Sequence, residues 1–162
     1  MIKHIFFDLD RTLWDFEKNS HATILQLIKD FKLIEKGIDN SDNFIKKYKT
    51  HNEKLWDLYR KDKIKKDELR GKRFQLALAE YDIDDSELAE QFGLAYIQQC
   101  PIKTSLFPYT HEVLLYLKKK YSLHIITNGF EEVQHIKLAH SDLTQYFDVI
   151  VTSEQVGVKK PN

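Results

Sequence analysis

The sequence has 162 residues, and its 25 Lys and Arg balance its 25 Asp and Glu, so no overall field draws the chain to nucleic acid or to anionic lipid. Hydrophobic residues make up 42%, enough for a buried core, while the apolar runs fall far short of the ~20 residues that span a bilayer. A single cysteine, Cys100, excludes an intramolecular disulfide and a multi-thiolate metal site. The composition predicts a soluble cytoplasmic protein that binds neither a nucleic acid polymer nor a membrane.

The chain begins with a short apolar run at residues 3–9, which contains Ile5, Phe6 and Phe7 and ends in charged residues. The run is too brief for a helix and is rich in residues that favour strands. It predicts a buried strand at the start of the fold.

Helical spacing of apolar residues then continues from about residue 15 to residue 100. Four amphipathic helices are predicted, with apolar stripes over 24–31, 44–59, 74–81 and 88–96, and the mixed-charge segment 61–67 is interpreted as a solvated turn. Asp84, with Glu87 three residues later, resembles a capping box at the start of the last helix. Because no strand separates these helices, they predict a small bundle inserted after the first strand.

After Pro101 the pattern alternates between helix and strand. A helix is predicted at about 110–120, a strand at 123–126, a helix that opens at Glu131 and Glu132, and a strand at 148–151. This order predicts an α/β fold with a parallel sheet, whose ligand crevice lies beyond the carboxyl ends of the strands. The chain therefore divides into a discontinuous Rossmann-like core, residues 1–14 and 101–162, and an inserted helical domain, residues 15–100.

Two carboxylates follow the first strand directly. Asp8 and Asp10 are two residues apart, so they project to the same side at the edge where a parallel sheet binds ligands. Oxygen ligands of this kind suit Mg²⁺, and an ionised Asp8 is a ready nucleophile towards a phosphate whose charge the cation offsets. Asp10 would then act as the general acid and base. The alternative interpretation is a strand that simply ends in a charged turn.

Two further strand ends carry candidate phosphate-binding groups. In the first, an apolar strand runs through Thr127 and Asn128 into Gly129 and then a helix, whose N-terminus offers N–H donors. In the second, the turn before Pro161 can direct Lys160 towards the same crevice, where its ammonium group would offset negative charge. Taken separately, the first is equally typical of a helix cap and the second of a surface loop.

Together these segments resemble the first three motifs of the haloacid dehalogenase-like hydrolase superfamily. The segments are Asp8-Leu9-Asp10-Arg11-Thr12, Thr127-Asn128-Gly129 and Lys160-Pro161, in that order and each after an apolar strand. A helical insertion after the first motif resembles the subfamily with a helical-bundle cap. The segments Thr127-Asn128-Gly129-Phe130-Glu131 and Ser153-Glu154-Gln155-Val156-Gly157 are similar in sequence to those of the pyrimidine nucleotidases in that superfamily.

The resemblance implies a Mg²⁺-dependent phosphatase that acts on a small phosphorylated metabolite such as a nucleoside monophosphate. Asp8 would attack phosphorus and form an aspartyl phosphate, with Asp10 as acid and base. The metal would be held by the Asp8 carboxylate and the Asp10 backbone carbonyl. Thr127 and Asn128 would bind the phosphoryl group, and Lys160 would steady Asp8 and the phosphate.

The sequence departs from the family pattern at two places. The family has a further strand after the Lys-Pro motif, ending in acidic residues that complete the magnesium site, whereas the given sequence stops at Asn162. We therefore expect a core that is incomplete at its C-terminus, with an exposed edge at the first strand that can pair with a second copy as a homodimer. The second departure is Arg11, where the family usually has a small or neutral residue; it is interpreted as a solvated residue or an extra phosphate contact.

Substrate choice is expected to depend on the helical cap, since the core motifs recognise only phosphate. The candidates are side chains able to stack on a base or to bind an anion: Trp14, Trp56, Tyr59, Arg70 and Arg73. Aromatic residues at helical spacing also form bundle cores, which is the simpler interpretation.

Two alternatives to a phosphatase stay open. One is a catalytically incomplete fragment that acts as a phosphate-binding or interaction module, and the other is a 2-haloacid dehalogenase that uses the same aspartate.

Overall fold

The computed structural model describes residues 2–161 and contains three β-strands and seven α-helices in that range. A short 3₁₀ helix, Thr144–Tyr146, precedes the last strand. The elements in chain order are β1 (His4–Phe7), α1 (Phe16–Asp30), α2 (Ser41–Arg60), α3 (Lys66–Ala79), α4 (Ser86–Gln99), α5 (Thr110–Lys118), β2 (Ser122–Thr127), α6 (Glu131–His140), β3 (Val149–Thr152) and α7 (Ser153–Val156).

The three strands form one parallel sheet in the order β1-β2-β3. Phe7 lies opposite Ile125, and Thr127 lies opposite Thr152, so the carboxyl ends of the strands line up. Helices separate the strands along the chain, as parallel connections require. The predicted α/β fold with a parallel sheet is confirmed, and Asp8, Asn128 and Ser153 each directly follow a strand at that common edge.

The first strand is less buried than the sequence predicts. β1 lies at the edge of the sheet, and the residues along it alternate between exposed and half-buried. Phe6 is exposed on one face, where its ring stacks on His124 with 4.7 Å between centroids. The apolar composition of β1 indicated burial on both faces, but successive side chains of a strand point to opposite faces, and the face that carries Phe6 stays open.

The chain divides into two compact units. The sheet unit runs to Ser20 and resumes at Cys100, and the helical unit is His21–Gln99. The division predicted from the sequence lies at residues 14/15 and 100/101, whereas in the structure the first turn of α1 belongs to the sheet unit.

The helical unit has an aromatic core built from the apolar stripes of α2, α3 and α4. Tyr48 stacks on Phe74 with 4.9 Å between ring centroids, and Phe92 and Tyr96 approach Phe74 at 5.1 and 5.3 Å. Phe92 and Tyr96 are four residues apart on α4, which puts both on the face that packs against Phe74.

The fourth helix is capped differently from the prediction. Asp85 Oδ1 accepts the main-chain N–H of Leu88 at 2.9 Å, whereas Asp84 was expected to act as the cap. Capping requires an oxygen at the residue that precedes the first turn, and α4 begins at Ser86.

Among residues 2–161, no helix is both long enough and apolar enough to cross a membrane.

Candidate active site

Asp8 and Lys160 form an ion pair at the carboxyl edge of the sheet. Lys160 Nζ lies 3.2 Å from Asp8 Oδ1 and donates to the main-chain carbonyl of Ile126 at 2.7 Å. The Asp8 side chain is 45% exposed, so this carboxylate is open to a ligand from solvent. The two residues are far apart in the sequence, and the strand ends bring them together as expected from the motif order.

Asn128 holds the main chain of Lys160 in place. Its Nδ2 donates to the Lys160 carbonyl at 3.1 Å, and its Oδ1 accepts the Lys160 N–H at 2.8 Å. The loop that leads to Lys160 turns at Gly157, whose φ of +73° favours glycine. The side-chain amide of Asn128, predicted to bind the phosphoryl group, is thus engaged at both ends and orients Lys160.

Asp10 is held by two side chains of α6. Lys137 Nζ donates to Asp10 Oδ1 at 2.6 Å, and Gln134 Nε2 donates to Asp10 Oδ2 at 3.0 Å. Lys137 and Gln134 are buried, whereas the Asp10 side chain is 27% exposed. Both carboxylate oxygens therefore have fixed donors, and the group still reaches solvent.

The hydroxyl group of Thr127 is oriented as a donor. Its Oγ1 accepts the Gly129 N–H at 3.1 Å and the Gln134 amide at 2.8 Å. A hydroxyl oxygen has two acceptor positions and one hydrogen. Because both acceptor positions are used, the hydrogen remains to be donated, which suits an anionic ligand.

The start of α6 offers fewer free N–H groups than the sequence predicts. The Gly129 N–H is bonded to Thr127 Oγ1, and the Glu131 N–H donates to Glu154 Oε2 at 2.6 Å. A carboxylate at a helix N-terminus satisfies the groups and the dipole that would otherwise attract an anion. Phosphate recognition at this edge would therefore depend on side chains more than on the helix terminus.

The arrangement fits a magnesium site at Asp8. No described residue bonds to Asp8 Oδ2, and a half-exposed carboxylate oxygen is the ligand type that Mg²⁺ takes, together with several waters. The Asp10 carboxylate is committed to Gln134 and Lys137, so its main-chain carbonyl is the better candidate ligand. Within residues 2–161 no cluster of three or more His, Cys, Asp or Glu side chains is placed to hold a metal.

Arg11 pairs with a neighbour on the surface. It adopts φ of +63°, and its guanidinium donates through Nε and Nη2 to Glu17 Oε1 at 3.1 and 2.8 Å. The same guanidinium lies 5.1 Å from the centre of the Phe16 ring. Of the two interpretations from the sequence, the solvated residue agrees better with these contacts than the phosphate contact.

The predicted specificity residues fall into different environments. Trp14 belongs to the sheet unit and is fully buried, with its indole N–H donated to the Lys103 carbonyl at 3.0 Å, so it has no free face for a base. Arg73 is 4% exposed, donates to Asn52 Oδ1 at 3.2 Å and lies 4.9 Å from the centre of the Tyr96 ring. Both residues are part of a core.

The remaining three candidates belong to the helical unit. Tyr59 is buried and meets the half-buried Trp56 edge to face, at 5.5 Å between ring centroids. Arg70 is half-buried on α3. Aromatic residues at helical spacing thus contribute to the packing of this unit, which was the simpler of the two expectations.

Gln134 and Lys137 were not identified from the sequence, although α6 carries a signal. The buried face of this helix contains Gln134, Lys137 and Leu138, while Ile136 is exposed. Polar residues on the inner face and an apolar residue outside reverse the usual amphipathic pattern. Such a reversal indicates that the inner face serves a polar site.

Comparisons with known proteins identify the family of the chain. The family of haloacid dehalogenase-like hydrolases matches residues 2–162. The chain is 31% identical over 158 residues to pyrimidine 5'-nucleotidase YjjG of Escherichia coli, covering 98% of this chain and 65% of that protein. It is 31% identical over 163 residues to pyrimidine 5'-nucleotidase PynA of Streptococcus pneumoniae, covering 99% of this chain and 65% of that protein.

A solved structure has the same fold. The magnesium-bound crystal structure of the HAD-hydrolase YfnB from Bacillus subtilis matches with a TM-score of 0.89 at 26% identity, covering 99% of this chain and 69% of that one. The chain spans about 65% of the length of the two nucleotidases it matches. The sequence motifs, the parallel sheet and the match over residues 2–162 lead to one conclusion: the chain belongs to the haloacid dehalogenase-like hydrolase family.

Proposed function

We propose that the protein is a Mg²⁺-dependent phosphomonoester hydrolase in which Asp8 is the nucleophile. The observation that carries the proposal is the 3.2 Å ion pair between Lys160 Nζ and a half-exposed Asp8 carboxylate at the ligand-binding edge of a parallel sheet. A carboxylate open to solvent and flanked by a cation suits attack on an anionic phosphate. A bound magnesium ion, held by Asp8 and the Asp10 carbonyl, would offset phosphate charge and orient the ester.

In the first step, an Asp8 carboxylate oxygen forms a bond to phosphorus while the ester oxygen leaves. The protonated Asp10 side chain gives its proton to that oxygen, so an alcohol departs and Asp8 carries the phosphoryl group. In the second step, a water oxygen bonds to phosphorus and the Asp8–phosphorus bond breaks. The Asp10 carboxylate takes the proton of that water, which releases inorganic phosphate and restores Asp8.

The phosphoryl oxygens would be bound by Thr127 and Lys160. Thr127 retains one hydroxyl hydrogen to donate, since its oxygen already accepts two hydrogen bonds. Lys160 retains a hydrogen beyond those directed at Asp8 and Ile126. Asn128 acts on the substrate through the orientation it gives to Lys160.

We further propose that the sheet unit performs the chemistry and that the helical unit selects the substrate. All the contacts that assemble the site lie within the sheet unit. The substrate class we propose is a pyrimidine nucleoside 5'-monophosphate, because YjjG and PynA, each 31% identical to this chain, are pyrimidine 5'-nucleotidases.

The decisive experiment compares Asp8→Asn with Asp142→Asn in the full-length protein. Asp142 is an exposed residue of the sheet unit with φ of +55°, a conformation that asparagine accepts, so its replacement is a matched control. We expect Asp8→Asn to lower turnover of para-nitrophenyl phosphate by about 10⁴-fold or more, because the loss of a covalent nucleophile lowers kcat by that order of magnitude. Asp142→Asn should leave turnover unchanged.

Two further measurements test the metal and the substrate. Chelation by EDTA should abolish turnover, and added Mg²⁺ should restore it. A panel of nucleoside monophosphates should give higher kcat/KM for cytidine and uridine monophosphate than for the purine nucleotides. Turnover that survives Asp8→Asn would refute the nucleophile, and a preference for purines would refute the substrate class.

A further inference from the structure

Lys137 is a buried cation whose position depends on Asp10. Its side chain is 6% exposed, and its ammonium lies 2.6 Å from Asp10 Oδ1 and 4.4 Å from the centre of the Trp14 ring. Taking an ammonium group out of water is costly unless a carboxylate and good contacts compensate for it. A lysine whose only function was solubility would extend into solvent, so this one is placed for its interaction with Asp10.

Gln134 fixes the other oxygen of the same carboxylate. It is fully buried one turn before Lys137, and its Nε2 donates to Asp10 Oδ2 at 3.0 Å and to Thr127 Oγ1 at 2.8 Å. Residues three apart lie on the same face of a helix, so α6 presents both donors to Asp10 together. Donors on two different oxygens determine the rotation of the carboxylate, which a single contact would leave free.

We propose that Lys137 and Gln134 are positioning residues that hold the Asp10 carboxylate in the orientation needed for proton transfer. This inference rests on the proposed function, because it concerns the acid and base of that reaction. Each carboxylate oxygen has two lone pairs, and each donor occupies one of them. One lone pair on each oxygen stays available for proton transfer, and the side chain is 27% exposed, so the carboxylate can be reached from solvent.

Proton transfer matters to different degrees for different esters. An alkyl phosphate must expel an alkoxide and depends on the general acid, whereas a dinitrophenolate leaves without a proton. The second step, attack by water, needs the base for both esters. A misdirected Asp10 should therefore slow alkyl ester cleavage and dephosphorylation of Asp8, and leave attack on the dinitrophenyl ester nearly intact.

The test uses three variants of the full-length protein: Lys137→Met, Lys137→Arg and the control Lys119→Met. Methionine keeps the aliphatic length beside Trp14 and removes the charge, arginine restores a cation, and Lys119 is an exposed lysine of the same unit. With a dinitrophenyl phosphate we expect Lys137→Met to give a burst of dinitrophenol, because the first step stays fast, and then to lose steady-state turnover. With uridine monophosphate we expect kcat to fall by about 100-fold, the lower range for general acid catalysis, with little change in KM.

Lys137→Arg should recover at least a tenth of the wild-type kcat, and Lys119→Met should match the wild type. If Lys137 has only a structural role, burst amplitude and both turnover rates will fall together with the folded fraction measured by near-UV circular dichroism, and that result overturns the inference. Wild-type turnover that survives Asp8→Asn refutes the proposed function itself, whatever the Lys137 variants show.

Gln134→Leu provides a second variant if Lys137→Met does not fold. It removes the donor to Asp10 Oδ2 and also the donor to Thr127 Oγ1, and it leaves the lysine in place. We expect the same selective loss of alkyl ester turnover, smaller than for Lys137→Met. Equal losses for the dinitrophenyl and alkyl esters in a folded Gln134→Leu protein would contradict the inference.

Discussion

Gly129 leaves the space in which the Gln134 side chain lies. A Cβ atom built at Gly129 would stand 2.9 Å from Gln134 Cγ and closer still to the amide group. Gly129 does not have a positive φ, so alanine fits the backbone and the collision with Gln134 is the only cost. We therefore expect Gly129→Ala to displace the Gln134 amide from its buried site.

The cost follows from the two hydrogen bonds that the amide would lose. One goes to the charged Asp10 and the other to the neutral Thr127, at 3.0 and 2.8 Å. A bond to a charged group contributes about 1.5 to 3 kcal/mol and one between neutral groups about 0.5 to 1.5 kcal/mol. Gly129→Ala should lower the free energy of unfolding by about 2 to 4.5 kcal/mol if both bonds are lost.

The assay is urea denaturation followed by the fluorescence of Trp14, in a Trp56→Phe background so that only the sheet unit reports. Gly71→Ala on α3 is the matched control, because nothing lies within 4 Å of its added methyl. It should be neutral or stabilising by up to about 1 kcal/mol. In a Gln134→Ala background the cost of Gly129→Ala should disappear, and an equal cost in both backgrounds would refute the steric reasoning.

Two other predictions concern the helical unit. Asn52→Leu removes the hydrogen-bond acceptor of the buried Arg73 and should destabilise the helical unit by about 1 to 3 kcal/mol. In urea denaturation, the double variant Asn52→Leu/Arg73→Met should recover most of that loss. A double variant as unstable as Asn52→Leu alone would show that the lost hydrogen bond is not the cause. Burial, aided by the hydrogen bond and the negative charge of Asp39, raises the pKa of Tyr81 to about 12, so an absorbance titration should show a late component that Tyr81→Phe lowers by one phenol. Because the pKa of Tyr81 in the folded protein exceeds the ordinary value of 10, its contribution to the free energy of unfolding is complete below pH 10 and is lost as the pH rises through 12. An unchanged late component in the titration of Tyr81→Phe would assign that component to another tyrosine.

The strand ends could be predicted from the sequence because their signals are local. Asp8, Thr127 and Lys160 each follow an apolar run, and parallel strands align their carboxyl ends whatever the details of packing. The burial of β1 was predicted wrongly, because composition does not reveal whether other elements cover both faces of a strand, whereas the exposed edge expected at β1 is present among the described residues. The roles of Lys137 and Gln134 depend on which face of α6 turns inward, and that is decided by contacts between residues far apart in the chain.

Lys160 and Lys137 pair with aspartates in contrasting environments, the first largely exposed and the second buried. The pair of Lys160 with Asp8 is 37% and 45% exposed, and an exposed ion pair contributes at most about 1 kcal/mol to stability. The closeness of Lys160 to Asp8 therefore stabilises the fold little, and it leaves the ammonium group available to an anionic ligand. The pair of Lys137 with Asp10 is 6% and 27% exposed, so the lysine cannot exchange its partner for water without a large cost. Asp8 is thus left adaptable, which the proposed nucleophile needs in order to move towards phosphorus. Asp10 is held rigid, which the proposed acid and base needs in order to act at a fixed position.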